Sequence, residues 1–445
     1  MLIWLLAALV LFNGKAFAQA GEYEGPEILS RTGGDVGQRS GKAVDLRFYA
    51  DVVGIYDTGI TPVSVDSSGK ITQVGGLTGL EADIGLYGRH NWRRTTLSLD
   101  YHGDYRDYSH NKYFNGTNQQ LRLSLGHQLT RHVTLRLRES AGTASYALGA
   151  FGYNSVLDPT IVQPTNAIFD SQVSYGQTGV DLIVQKTARL SFSIGADGYA
   201  VREANRALVG LNGYGAHGDV AYRLNRVSTI SVDYAYQHFE YEGLFGSSDV
   251  HELAAGYYRR LNRTWQLGLR AGAFRVESKG LEVAALDPAV AAILGTGSTI
   301  VAFYGVHIYP LVDVRLSAKF HHSSFTAFVN ESANPGNGIY LTSRAQSGGA
   351  VYSYTGVRKL NLSFSGDYSN LHSVGQNLGN FKQWDGGLGF TYAVAKSFHL
   401  VGRIDGRHFD VGALSTASGS PFRQNSFRVS LGVGYAPGDL PLSLW

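Results

Sequence analysis

The sequence of 445 residues contains no cysteine. Disulfide scaffolds, thiolate metal centres and cysteine nucleophiles are thereby excluded. Charge is also scarce: Asp, Glu, Lys and Arg make up 16% of the chain, against about 25% in ordinary soluble proteins. The 38 basic and 35 acidic residues leave a net charge of +3. Spread along the chain, that balance gives no nucleic-acid footprint. Long apolar runs are missing after the first 20 residues, and a helical membrane bundle needs runs of about 20. What is abundant is glycine, at 56 residues, and aromatics, with 27 Tyr, 21 Phe and 5 Trp. Aromatic and β-branched residues at this level exclude a disordered chain. Two or three soluble domains or one large all-β barrel both fit the length, and the composition favours the barrel.

Met1 to Ala20 reads as a leader. Leu2 to Phe12 is an apolar core of signal-peptide length, too short to anchor in a bilayer. Ala16-Phe17-Ala18 and Ala18-Gln19-Ala20 both place small residues before a cut, so cleavage is expected after Ala18 or Ala20. The departure from the pattern is that no Lys or Arg precedes the apolar core; Lys15 follows it. Residues 21–43, polar and Gly-rich, are expected to be a flexible periplasmic lead-in, with a plug as the alternative, and the barrel is assigned to 44–445.

From Val44 onward apolar and polar residues alternate. Leu121, Leu123 and Leu125 alternate with Arg122, Ser124 and Gly126. Val312, Val314 and Leu316 alternate with Asp313, Arg315 and Ser317, and Phe427, Val429, Leu431 and Val433 with Arg428, Ser430 and Gly432. Period two means strands with one apolar and one polar face. Tight turns are read at Trp92, Thr130, Lys186, Asn225, Asn262, Pro310, Lys359 and Ala395. Each interval between them holds two strands and one longer loop, so eight hairpins give sixteen strands. A first strand near Val44–Asp57 and a last near Gln424–Tyr435 bring the expectation to 18, with 16 if one hairpin slips. A propeller repeats at a similar spacing but carries four short strands per repeat. Here each repeat has two strands of about 10 to 14 residues, the length that crosses a bilayer at a tilt. A sandwich would leave two edges to protect. The expected fold is all-β: a transmembrane, up-and-down antiparallel β-barrel.

The polar face carries Arg47, Asp100, Arg122, Arg136, Arg138, Arg270, Asp313, Arg315, Asp367, Arg403, Asp405, Arg407 and Arg428, with Asp45, Asp51, Asp197 and Asp233. An arginine at mid-bilayer on a lipid face costs about 2–4 kcal/mol. A dozen of them would exceed any plausible stability, so this face is expected to line a lumen and the apolar face to meet lipid. Tyr101, Tyr222, Trp265, Tyr309, Trp384, Tyr392, Phe398 and Tyr435 are expected toward strand ends as an interfacial girdle. Eighteen strands enclose an aqueous channel rather than a side-chain core. The inward charges either orient hydrated solutes or are the solvated residues of a wet wall. Arg403, Asp405 and Arg407, and Asp313 with Arg315, are candidates for a ladder of cross-strand pairs.

Three longer loops are read on one rim: Gly142–Asp170, Glu277–Thr299 and Phe325–Gln346. Within the second, Asp287 is an N-cap, Pro288 a first helical position and Gly295 a stop, framing a short apolar helix. It either folds into the mouth as a constriction or rests on the rim. Two prolines, Pro437 and Pro441, precede the terminal Trp445.

Three motifs tempt and fail their context tests. Gly213-Tyr214-Gly215-Ala216-His217-Gly218 matches a dinucleotide fingerprint but sits in an alternating strand with no helix after it. His321 and His322, read as strand neighbours, point to opposite faces and do not share a metal; they are taken as rim histidines. Tyr105, Tyr108 and Tyr113 beside His110 form either a sugar-stacking cluster or ordinary rim aromatics. No catalytic residues, cofactor or metal ligands are assigned.

With leader, hairpin periodicity and girdle in place, residues 44–445 resemble bacterial outer-membrane β-barrel porins. More loosely, they resemble the porin-type barrels associated with exopolysaccharide secretion. The shared marks are turn segments such as Tyr222-Arg223-Leu224-Asn225-Arg226 and Tyr258-Arg259-Arg260-Leu261-Asn262-Arg263. The resemblance implies a Gram-negative outer membrane, lipid and the barrel-insertion machinery as partners, and passage of small hydrophilic solutes or an exported polysaccharide. The alternative expectation is a structural or partner-binding barrel with a filled lumen. An outer-membrane hydrolase would need a smaller barrel and a recognisable acid-base set.

Overall fold

Strand alternation dictates the architecture. A computed structural model describes residues 45–58, 63–65, 71–73, 76–109, 115–144, 172–204, 208–242, 246–285, 297–336, 341–374, 380–410 and 425–436. In chain order the strands are β1 (Asp45–Asp57), β2 (Val63–Val65), β3 (Ile71–Gln73), β4 (Leu77–Asn91), β5 (Thr95–Tyr108), β6 (Gly116–Gln128), β7 (Val133–Ala144), β8 (Val173–Gln185), β9 (Leu190–Glu203) and β10 (Leu211–Arg223). They continue as β11 (Ser228–Tyr241), β12 (Ser247–Arg260), β13 (Trp265–Ala285), β14 (Ser298–Lys319), β15 (Ser323–Asn334), β16 (Ser343–Val357), β17 (Leu360–Ser373), β18 (Asn380–Ala393), β19 (Phe398–Asp410) and β20 (Asn425–Tyr435). β2 and β3 pair only with each other, as a small hairpin in the β1–β4 connection. The other 18 form one sheet, each strand antiparallel to its neighbours in sequence, and β1 pairs with both β4 and β20. That pairing closes the barrel and abolishes the open edges that a flat sheet would expose.

Eight connections of two to four residues lie on one rim and the longer ones on the other. Seven of the eight tight turns sit where the sequence places them. The eighth does not: Tyr309-Pro310-Leu311 is inside β14, and the turn is Phe320-His321-His322. Proline is a turn signal in the sequence, but β14 is 22 residues long and carries it within the strand. His321 and His322 therefore share a turn rather than a strand, with ring centroids 4.1 Å apart. Phe325–Asn334 and Ser343–Gln346, read as loop, are strand, as are Glu277–Ala285 and Ser298–Thr299. Lys359, the second residue of the Arg358–Lys359 connection, has φ 67°, a left-handed conformation found in tight turns.

The sidedness follows from exposure. On β4, Leu80 is 62% exposed and its neighbour Glu81 is 4% exposed. Leu46, Phe48, Val52, Ile84, Ile194, Val232, Leu253, Ile404, Leu431 and Val433 share the exposed face. In a closed sheet this convex, apolar face is the outer wall, the one a bilayer can cover. Tyr222, Trp265, Tyr392, Phe398 and Tyr435 lie on it at the tight-turn ends of their strands, as a girdle demands. Tyr101 has the same face at mid-strand, and Trp384 toward the opposite rim. Tyr309 departs from the expectation: it faces inward and packs on Phe274, centroids 5.5 Å apart.

One break in the wall matters for function. β14 pairs with β13 along its whole length but with β15 only from Val312 to Lys319. The Lys319 amide donates to Thr264 on the β13 side, and the Phe320 amide to Ser323 on the β15 side. Odd residues of β14 thus turn their N–H toward β13 and even ones toward β15. Pro310 is even and has no N–H, so it withholds the donor that would continue the β14–β15 ladder. Beyond Val312 the two strands part, while β15 stays paired with β16 up to Asn334–Ser343.

Candidate functional site

The inner wall is the candidate site. All thirteen charged residues singled out from the sequence share the inner face by register. Arg47, Tyr87, Asp100, Arg122 and Ser140 form one row across β1, β4, β5, β6 and β7. Arg136 and Arg138 follow on β7, opposite Gly126 and Ser124. Arg270 stands opposite Asp313, and Gly268 opposite Arg315. Asp367 is two strands from Arg407, through Asp385, and Asp405 stands opposite Arg428.

The fold brings these charges into pairs, within a strand and across strands. Arg403 Nε lies 2.6 Å from Asp405 Oδ1, and Arg407 Nε 2.7 Å from Asp385 Oδ1. Arg138 reaches Asp181 at 3.1 Å, and His217 Nε2 meets the other oxygen of Asp181 at 2.8 Å. Arg270 Nε donates to Asp233 at 2.9 Å and its Nη2 approaches Glu252 at 3.5 Å. Arg428 is bonded to Glu81, which also lies 3.6 Å from Arg106. Desolvating each pair is costly, and hydrogen-bonded geometry offsets it. Guanidinium donors and carboxylate acceptors thus alternate around the wall and are held in fixed orientations. Such a surface offers a hydrated solute both kinds of hydrogen bond.

Sequence reasoning passed over Glu81, Asp83, Asp104 and Arg106, although Leu80, Ala82, Ile84 and Leu86 alternate with the β4 members and would have revealed them. It also joined Tyr105 to Tyr108, which lie on opposite faces, Tyr105 outside and Tyr108 buried inside. His110 and Tyr113 lie outside the described residues, as do Asp287, Pro288 and Gly295, the leader, residues 21–43 and the stretch from Pro437 to Trp445. The glycine motif finds a packing reason. A Cβ on Gly213 would come 2.2 Å from the Tyr199 ring, so Gly213 lets that ring lie flat on the inner wall.

The inner face is not polar throughout. Val173, Tyr199, Val201, Leu211, Phe239, Tyr241, Val250, Phe274, Val276 and Leu311 occupy inner positions toward the long-loop rim and form one buried apolar cluster with Val374. Ala333 and Leu341, from the β15–β16 tip, pack against it. The tip is latched by a hydroxyl cluster: Tyr241 Oη lies within hydrogen-bond distance of Thr342 Oγ1 and of the Pro335 carbonyl, and Thr342 Oγ1 lies 2.6 Å from Ser248 Oγ. The Val374 amide donates to the Thr342 carbonyl at 2.9 Å. Tyr241 and Ser248 are inner-face residues of β11 and β12. Freed from β14 by Pro310, the tip has therefore folded inside the barrel. Arg344, on the outer-parity face of β16, lies 5.4 Å over the inward ring of Tyr309 and bonds Glu331 at 2.6 Å. The opposite face of the tip, with Asn330, Ser332 and Ser347, is turned to the lumen. Among the described residues, Ala333, Pro335, Leu341 and Thr342 are the part of a long-rim connection that packs on the inner wall.

No family model matches the sequence, and no curated protein matches it at significance. Among solved structures the chain is similar to a BenF-like porin from Pseudomonas fluorescens Pf-5, at 12% identity and a TM-score of 0.41, covering 88% of this chain and 98% of that one. It is similar to Pseudomonas aeruginosa OccK2 (OpdF), solved in complex with glucuronate, at 13% identity, a TM-score of 0.41, and the same two coverages, 88% and 98%. It is also similar to Acinetobacter baumannii OccAB4, at 14% identity and a TM-score of 0.37, covering 88% of this chain and 97% of that one.

Proposed function

We propose that this barrel is an outer-membrane channel that passes small hydrophilic solutes through a charged, hydrated lumen. The observation that carries the reading is the two-sided wall: apolar residues cover the outside, and Arg–Asp and Arg–Glu pairs line the inside. Charges set on an inner wall of this size are stable because water shares the space with them. The thirteen charged residues named above are the proposed pore lining, and the β15–β16 tip the proposed constriction. Monosaccharide- and disaccharide-sized solutes suit a lumen narrowed by a folded-in tip better than a polymer does.

The test is conductance of the purified, folded barrel in planar bilayers, paired with liposome swelling in sugars of graded size. Ohmic openings and swelling that falls off with sugar size support the channel. Silence from folded protein supports the second reading, an occluded structural barrel. That reading draws on one observation, the apolar seal between tip and wall at the long-loop end.

A further inference from the structure

We propose a divalent metal site on the inner wall, built by Asp83, Asp104 and His102 with Asp51 beside them. Asp51, Asp83 and Asp104 stand directly opposite one another on β1, β4 and β5, side chains on the same inner face. Residues so placed have Cβ atoms about 4.5–5.5 Å apart, and like charges there repel. His102 is two residues from Asp104 on the same face, and one ligand atom from each of Asp83, His102 and Asp104 falls within 4.8 Å of the others.

Three further observations point to a cation. Asp51, Asp83 and Asp104 are 3%, 7% and 7% exposed. Both carboxylate oxygens of Asp51, and Oδ2 of Asp83, are buried without a hydrogen-bond partner. A buried, unpartnered carboxylate oxygen is expensive and calls for a ligand. The local cations are already committed: Arg428 to Glu81, and Arg106 to Glu81 and Asp104 at 3.6 and 3.4 Å. Among the described residues no Lys or Arg makes a salt bridge to Asp51 or Asp83.

The histidine has an outer hydrogen-bond partner. Tyr49 Oη lies 2.6 Å from His102 Nδ1. With Nδ1–H donating to that hydroxyl, the Nε2 lone pair is free for a metal, the outer bond fixing tautomer and ring. Gly85 makes this possible: it sits between Tyr49 and His102 in the ladder, and a Cβ there would come 1.9 Å from the Tyr49 ring. Carboxylates combined with one imidazole suit Mn²⁺ or Zn²⁺ rather than Mg²⁺. The ion would bridge β1, β4 and β5, next to the β1–β20 seam that closes the barrel.

The site stands whether or not the barrel conducts. The experiment uses the full mature barrel without a histidine tag, stripped with chelator and titrated with Mn²⁺ and with Zn²⁺ by calorimetry, folding being verified by heat-modifiable gel mobility. One ion per chain is expected, and Mn²⁺ or Zn²⁺ raises the melting temperature. Asp83→Asn/Asp104→Asn loses binding by at least about 100-fold, and Tyr49→Phe weakens it by about 10-fold. His102→Gln retains the fold and loses the preference for Zn²⁺ over Mg²⁺. Two outcomes overturn the proposal: folded wild-type barrel that binds neither ion, or binding that is unchanged in the folded Asp83→Asn/Asp104→Asn variant.

Discussion

Unlatching the folded-in tip is the sharpest perturbation the geometry allows. Tyr241→Phe/Thr342→Val removes both hydroxyls of the latch. The two hydroxyls hold two hydrogens between them, so at most two bonds are lost. The donations to the Pro335 carbonyl and to Ser248 are lost, while Ser248 keeps Ser278 at 2.9 Å. Two lost bonds at about 0.5–1.5 kcal/mol each give about 1–3 kcal/mol against docking. That shifts the docked-to-free ratio by about 5- to 150-fold. The apolar contacts of Leu341 and Ala333 and the Val374 amide bond are untouched, so the docked state persists as the majority. The assay exploits the absence of cysteine. Ser343→Cys, introduced at a position with 0% exposure, becomes the one thiol of the chain, and its labelling rate reports undocking. In the double variant that rate rises by the same about 5- to 150-fold, and single-channel records gain excursions to a wider level. Equal labelling rates in folded wild type and double variant would refute the latch.

Other outcomes follow from the same wall. Arg428→Met leaves Glu81 with Arg106 alone and destabilises the barrel by about 3–5 kcal/mol, read as a lower urea midpoint; Arg428→Met/Glu81→Gln recovers most of it. Gly85→Ala drives a Cβ into the Tyr49 ring and costs about 1–3 kcal/mol, and Tyr49→Ala in the same chain relieves the loss in a melting experiment. Leu431→Arg places a guanidinium on the outer wall, at a side chain now 55% exposed, and lowers folding stability in lipid by about 2–4 kcal/mol. A Leu431→Arg barrel as stable in lipid as wild type would contradict the sidedness.

Much of this was legible along the chain because a strand's period of two is a local property. Leu121 to Gly126 and Phe427 to Gly434 declare an apolar and a polar face without reference to any partner, and both faces lie as read. Tight turns at Asn225, Asn262 and Lys359 are equally local, set by residues that tolerate a reversal. Pro310 shows the limit. Proline marks a turn or the end of pairing on one side of a strand, and only the neighbour's position decides which. The folded-in tip left a faint trace, in Phe239, Phe274 and Val276, which break the alternation by placing apolar groups on the inner face. That trace signals that something covers them and does not name the cover.

The amino-acid order alone determined the two faces and the rim that carries the tight turns, since each depends on neighbours a few residues apart; it left 18 strands with 16 as the alternative. Tertiary structure decided which charges meet, because Arg428 and Glu81 lie 347 positions apart and join only when β20 closes on β1. It also decided that the β15–β16 tip turns into the lumen, since that needs a missing donor on β14, a hydroxyl on β11 and an apolar patch on β8–β13 to converge. Three aspartates set abreast with a histidine arise the same way: the registers of β1, β4 and β5, each ordinary by itself, sum their charges at one place on the wall.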